Sequence, residues 1–204
     1  MPDSQAKAKA HLKEHGWVRF PCVLSKEEAD RTLGRLWKAK AAVEAEGEDT
    51  HLQFLDPNPS NIRIFYLMAI DKIFRELISH PPRSKWSSPF SAKAFSSPTS
   101  RPTLLVRDPR WATRKEVPDN APELIIPFEA KASDIPVMDG KVWHTSGSNV
   151  TKDQDRALLF GYYTKGFRCQ QVNWTARLSK GVQDSLTQEQ KEWLGLGVVG
   201  NISD

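Results

Sequence analysis

Two residues in the segment VWHTSGSNVTKDQDRALLFGYY, Val142 to Tyr163, are of types that could do chemistry: His144 and Arg156, twelve positions apart. Neutral imidazole is a ligand for Fe(II) and other transition metals. A guanidinium grips a carboxylate through two parallel hydrogen bonds. Taken singly, a histidine after a strand is ordinarily a surface or packing residue, and an arginine heading a strand is ordinarily a solvated charge. Their setting argues for more. Asp139-Gly140 is a hairpin-type turn signal, and Val142-Trp143 leads a strand to His144. Thr145, Ser146, Gly147 and Ser148 are small and leave space beside the imidazole. A polar loop to Asp155 then returns the chain in an antiparallel strand starting at Arg156. Histidine and arginine on neighbouring strands are expected to face one cavity.

The elements that must position them can be read from periodicity and punctuation. Lys7 to His15 is a short helix stopped by Gly16. Trp17 to Phe20 is a strand that Pro21 places at an edge. Ser25 and Glu28 have capping-box spacing ahead of a helix with Ala29, Leu33, Leu36 and Trp37 on one face. LDPNPSN, from Leu55, is a loop, and IRIFYLM after it reads as a strand. DKIFRELISHPP is a helix capped by Asp71, with Ile73, Phe74, Leu77 and Ile78 buried, ending at the prolines. Arg83 to Thr103 is serine-rich without a period and reads as a disordered linker. ELIIPFEAK, DIPVMDGKVWH, RALLFGYYT and CQQVNW read as strands. LTQEQKEWLGLG is a closing helix with Thr187 and Gln190 at capping-box spacing. Helices followed by a run of short strands make a mainly β protein with flanking helices (α+β), a sandwich or barrel with helical packing on one side.

The totals bound the function class. A chain of 204 residues suits one domain with a real core. The 29 basic and 25 acidic residues are interspersed, and a net charge of +4 is too small to argue for nucleic acid. Cys22 and Cys169 stand apart with no CxxC, so no zinc site or disulfide framework is indicated, and reduced thiols in an intracellular, cytoplasmic setting are expected. The polar N-terminal stretch has no apolar signal core, and no run approaches the roughly 18 apolar residues of a membrane span.

The pattern D-G-x-x-W-H-x-S-G-x-N, from Asp139 to Asn149, with RALLF from Arg156, resembles the phytanoyl-CoA dioxygenase family of Fe(II)/2-oxoglutarate oxygenases. HLKEHGWVRFPCVLSKEEADRTLGRLW, LDPNPSNIRIF and FRELISHP form an N-terminal block of the same resemblance. WATRKEVP, PFEAKASDIPV and FRCQQVNW extend the C-terminal one. The resemblance implies a double-stranded β-helix (jelly roll), with His144 as the distal histidine of the iron site and Arg156 holding the far carboxylate of 2-oxoglutarate. Ser146 and Asn149 would line the same pocket. It also implies Fe(II), 2-oxoglutarate and O2 as cofactor and cosubstrates, and a small organic or acyl substrate oxidised as 2-oxoglutarate is converted to succinate. No nucleic-acid or membrane partner is implied.

One part of that family's equipment is missing. The family completes a 2-His-1-carboxylate triad with a His-x-Asp motif. The histidines here are His11, His15, His51, His80 and His144, and none has Asp or Glu two positions on. In the family the motif lies between the two matched blocks, and the interval here is shorter, so the β-helix is expected to be incomplete. The expected organisation is a single domain over 1–204. It has an N-terminal helical and strand block (7–80), an aberrant Ser/Pro-rich segment (82–110), a C-terminal β-helix half (111–178) and a closing helix and tail (179–204).

Pro82 to Thr103 has the composition of a shifted reading frame. Trp, Phe and most Ser codons begin with T, and T in the middle of a codon specifies apolar residues. One permitted choice of synonymous codons, read two bases in, gives ALEMVVALLGEGFLISNFTAN, a helix, a glycine-bounded turn and a strand. That is similar to what the family places after FRELISHP. The expectation is a frameshifted or mis-spliced segment and an oxygenase impaired in this chain. Replacement ligands from His51 or His80 with Asp49 or Glu76 are a minor alternative. Two other readings stay open: a non-catalytic remnant that binds a carboxylate through Arg156, and a basic β-domain with no site.

Overall fold

The computed structural model describes residues 2–47, 50–51, 61–80, 90–94, 103–105, 123, 125–127, 130–140, 142, 144–145, 151, 153, 155–163 and 170–196. The chain divides into two compact units, Met1–Ala29 with Trp86–Lys165 and Asp30–Lys85 with Gly166–Asp204. These boundaries cut across the blocks expected from the sequence, because the N-terminal block is shared between the units.

In the first unit, helix α1 (Pro2–His15) begins earlier than its periodicity indicates. It stops where expected. Gly16 takes φ 79°, a left-handed conformation that suits glycine, and its amide bonds back to the Leu12 carbonyl at 2.9 Å. Strand β1 (Trp17–Phe20) follows at once. Helix α2 (Lys26–Ala45) opens with the expected capping box: the Glu28 amide donates to Ser25 Oγ at 3.1 Å, and the Ser25 amide to Glu28 Oε2 at 2.8 Å. Only the first turn of α2 belongs to this unit.

The strands after it are β2 (Phe90–Ala94), β3 (Thr103–Leu105), β4 (Ile125–Pro127), β5 (Ile135–Asp139), β6 (His144–Thr145) and β7 (Leu159–Tyr162). They form two antiparallel sheets, in the orders β1-β5-β2-β7 and β4-β3-β6. β1 lies at an edge, as Pro21 predicts. β5 lies inside its sheet and is buried on both faces, which explains its near-continuous apolar run. Ile135 and Val137 pack with Val18, Leu12 of α1 and Ala29 of α2. Met138 packs with Trp17, Val142 and Ala130. Neighbouring residues of β1 and β5 thus serve separate clusters, following the period of two along a strand.

Asp134 fixes how β5 enters the sheet. Its carboxylate, 2% exposed, accepts from the Cys22 and Lys131 amides, each at 3.0 Å. Arg19 Nη1 stands 3.8 Å from the same group. The Val23 and Leu24 amides both reach the Ser133 carbonyl, at 2.8 and 3.1 Å. The turn after β1 is therefore tied to the start of β5.

The second unit is helical: the rest of α2, then α3 (Leu67–Ile70), α4 (Lys72–Ile78), α5 (Trp174–Arg177), α6 (Lys180–Asp184) and α7 (Gln188–Trp193). Leu178, Leu186 and Leu194 form its core with Met68, Ala69, Ile78 and Trp174 around them. Side-chain caps at Asp71, Asn173, Ser179 and Thr187 each accept an amide of the helix that follows. Thr187 and Gln190 make the expected capping box. Gln190 also donates from Nε2 to the Arg75 carbonyl at 3.1 Å, tying α7 to α4.

Several expectations are corrected. IRIFYLM is not a strand: residues 61–66 are irregular, and α3 begins at Leu67. Tyr66 takes φ 58° there, with its ring edge-on to Trp174 and Arg177 4.0 Å above it. Those contacts outweigh the β-propensity of the run. CQQVNW does not form a strand over its described residues, because Asn173 caps α5 instead. Leu77 and Ile78 are half-buried, not buried like Ile73 and Phe74. The serine-rich stretch contributes β2, and β3 begins at its last residue, Thr103. In β2, FSAKA, Phe90, Ala92 and Ala94 alternate with Ser91 and Lys93, a period of two that the serine content conceals.

Candidate active site

The Asp139-Gly140 turn does not make a hairpin. The Val142 amide closes it on the Asp139 carbonyl at 3.0 Å, but β5 pairs with β1 and β2, whereas β6 pairs with β3. The turn carries the chain from one sheet to the other and delivers His144 as the first residue of β6, opposite Leu104. Further along, the chain enters β7, whose described partner is β2. His144 and Arg156 are therefore not on paired neighbouring strands, as the spacing predicts. They belong to segments serving different sheets of one unit, with Arg156 three residues ahead of β7.

His144 is exposed, and its Nδ1 lies 2.9 Å from the Val142 carbonyl. A carbonyl only accepts, so Nδ1 is the donor here, and in the neutral ring the lone pair lies on Nε2. Ligating imidazoles are oriented in this way, with the second nitrogen donating to a backbone oxygen. The turn that carries the chain between sheets thus also sets the tautomer. Arg156 is half-buried next to buried Ala157, and burial lowers its pKa from the ordinary value. A partly desolvated guanidinium interacts more strongly with an anion than one in bulk water does. Ser146 and Asn149 lie outside the described residues.

Among the described residues the donor set does not fit an iron triad. All five histidines of the sequence are described, and among the described residues no group of three His, Cys, Asp or Glu side chains could hold a metal ion. His51, His80 and Glu76, weighed as replacement ligands, belong to the second unit, and Asp49 lies outside the described residues. The sequence reading missed Asp134, which touches no candidate ligand but anchors the strand leading to His144. Its signal was local: an Asp three residues after Lys131, where its carboxylate can close a turn on the Lys131 amide.

No family model matches the chain. Solved structures similar to it in part include two of one epimerase. The non-heme α-ketoglutarate-dependent epimerase SnoN from nogalamycin biosynthesis is 14% identical, with a TM-score of 0.45 over 78% of this chain and 81% of its own. The same epimerase in complex with Fe3+, α-ketoglutarate and nogalamycin RO is 13% identical, with a TM-score of 0.45 over 78% and 82%. No helix among the described residues is long and apolar enough to cross a membrane.

A much nearer relative is the dioxygenase af480 of Aspergillus fumigatus, 40% identical over 241 residues, which cover 96% of this chain and 78% of the relative. The match spans 241 positions but covers 96% of the 204 residues here, about 196, so about 45 matched positions have no counterpart in this chain. With that identity over nearly its whole length, the chain belongs to the same dioxygenase family as the Aspergillus protein.

Proposed function

We propose that the chain descends from Fe(II)/2-oxoglutarate oxygenases of the phytanoyl-CoA dioxygenase kind and has lost the segment that carries two of the three iron ligands. The observation that carries this reading is the unmatched length. The relative named a dioxygenase is longer than this chain inside the matched stretch, and no histidine here has an acid at the second position. What remains is His144, its Nδ1 held by the Val142 carbonyl, and the half-buried Arg156. One imidazole is a poor iron site, so the residues present are assigned no catalytic step. Intact members act on a small-molecule substrate with O2. The incomplete β-helix follows from the same loss, with the shifted frame over 82–103 as its origin.

The test is succinate release and Fe(II) binding by the purified 204-residue chain with 2-oxoglutarate and O2. No metal-dependent succinate above background is expected. Restoring the missing stretch from the relative should bring turnover back, and that turnover should then require His144. Sustained turnover by the chain as it stands overturns the reading. Transcripts across codons 80 to 111 test the origin: an uninterrupted frame in independent homologous transcripts removes the frameshift.

The partly desolvated guanidinium favours a second reading, a remnant pocket in which Arg156 holds a carboxylate without metal. Binding of 2-oxoglutarate by metal-free protein, lost in Arg156→Ala, separates it from the first.

A further inference from the structure

α1 carries a second set of metal-ligating groups that owes nothing to the reading above. Residues 11–15 read His-Leu-Lys-Glu-His, an H-x-x-E-H spacing that places two imidazoles one turn apart on a single helical face. Their ring centroids are 4.3 Å apart. His11 is already held as a ligand would be. Its Nδ1 lies 2.7 Å from the Trp17 carbonyl, which can only accept, so the proton sits on Nδ1 and the lone pair on Nε2. The Trp17 ring packs T-shaped against the same imidazole, with the centroids 5.0 Å apart. His15 is about half exposed, and Glu14 Oε2 stands 3.8 Å from its Nε2.

Among the described residues no third His, Cys, Asp or Glu completes a cluster, so water would fill the other positions. The two rings stand close enough to share one ion. With metal–nitrogen bonds of about 2.0 Å, imidazoles at adjacent corners of a square-planar or tetragonal ion have centroids roughly 4.4 Å apart. A tetrahedral ion needs roughly 5.1 Å. The observed 4.3 Å matches the first.

We propose that His11 and His15 form a two-imidazole site for a late first-row divalent cation of tetragonal preference, Ni(II) or Cu(II). Chelation at this position clips the last turn of α1 to the carbonyl at the head of β1, so metal binding stabilises the junction that Gly16 makes.

The experiment is calorimetric titration of the tag-free full chain with Ni(II), paired with thermal melts at saturating metal. One-site binding and a metal-dependent rise in Tm are expected. Exposed His15→Gln should weaken binding at least tenfold and abolish the rise, with the metal-free melt unchanged. His11→Asn, which can still donate to the Trp17 carbonyl, should do the same. His144→Ala should leave Ni(II) affinity as it was, which separates this site from the oxygenase remnant. Ni(II) binding by His15→Gln at full affinity, loss of binding in His144→Ala, or no binding by the unaltered chain each overturns the proposal.

Discussion

Replacing Asp134 is the sharpest test of how the first unit is held together. The carboxylate is 2% exposed and accepts two backbone amides, from Cys22 and Lys131, both at 3.0 Å. A hydrogen bond to a charged group contributes about 1.5–3 kcal/mol net, and a donor left buried without its acceptor adds to the loss. Asp134→Ala should therefore cost the β1–β5 junction about 3–5 kcal/mol. That is a large part of the 5–15 kcal/mol typical of a whole domain. Asp134→Asn keeps one acceptor and sets an amide N–H against a backbone N–H, so about 2–3 kcal/mol is expected. Arg19 is 45% exposed and 3.8 Å away, so Arg19→Ala should cost no more than about 0.5 kcal/mol. Hydrogen exchange of the β1 and β5 amides reads these values as opening free energies. An effect of Asp134→Ala below about 1 kcal/mol, or an Arg19→Ala effect equal to it, would refute the amide clamp.

Other expectations concern single side chains. Thr187→Ala should lower the stability of the second unit by about 1 kcal/mol in urea titration, whereas Thr187→Ser, which keeps the cap on the Gln190 amide, should change little. Gly195→Ala should destabilise the same unit by about 1–2 kcal/mol, because Gly195 has φ +63° and a Cβ would lie 2.9 Å from Gln170 Nε2. Adding Gln170→Ala should relieve the clash but not the backbone strain. Arg156→Lys removes the bidentate fork, so any 2-oxoglutarate binding by metal-free protein should fall at least tenfold by calorimetry.

Local devices were legible in the sequence because their partners lie within a turn or two. Ser25 with Glu28, Thr187 with Gln190, the Asp71 cap and the Gly16 stop all form as their spacing predicts. Features set by distant partners were not legible. Tyr66 leaves the strand-like run IRIFYLM because Trp174 and Arg177, more than a hundred residues later, hold its ring. The Asp139-Gly140 turn looks the same whether the next strand pairs back or crosses to another sheet, and only the pairing of β6 with β3 decides it. His144 and Arg156 were identifiable by chemical type, but their assignment to different sheets was not. Asn173 carried a readable cap signal that the apolar flanks of QQVNW obscured.

The way the chain passes between its units has a consequence for synthesis. Each unit is assembled from an early and a late segment, Met1–Ala29 with Trp86–Lys165 and Asp30–Lys85 with Gly166–Asp204. β1 pairs residue for residue with β5, Trp17 opposite Met138 and Phe20 opposite Ile135. At about 5–20 residues per second, the partner of β1 leaves the ribosome roughly 6–23 s after β1 itself. Through that interval Trp17, Val18 and Phe20 have no sheet to join, and Leu12 has no core to enter. The nascent chain thus displays an apolar early segment that chaperones can capture, and neither unit can close before its late segment has been made.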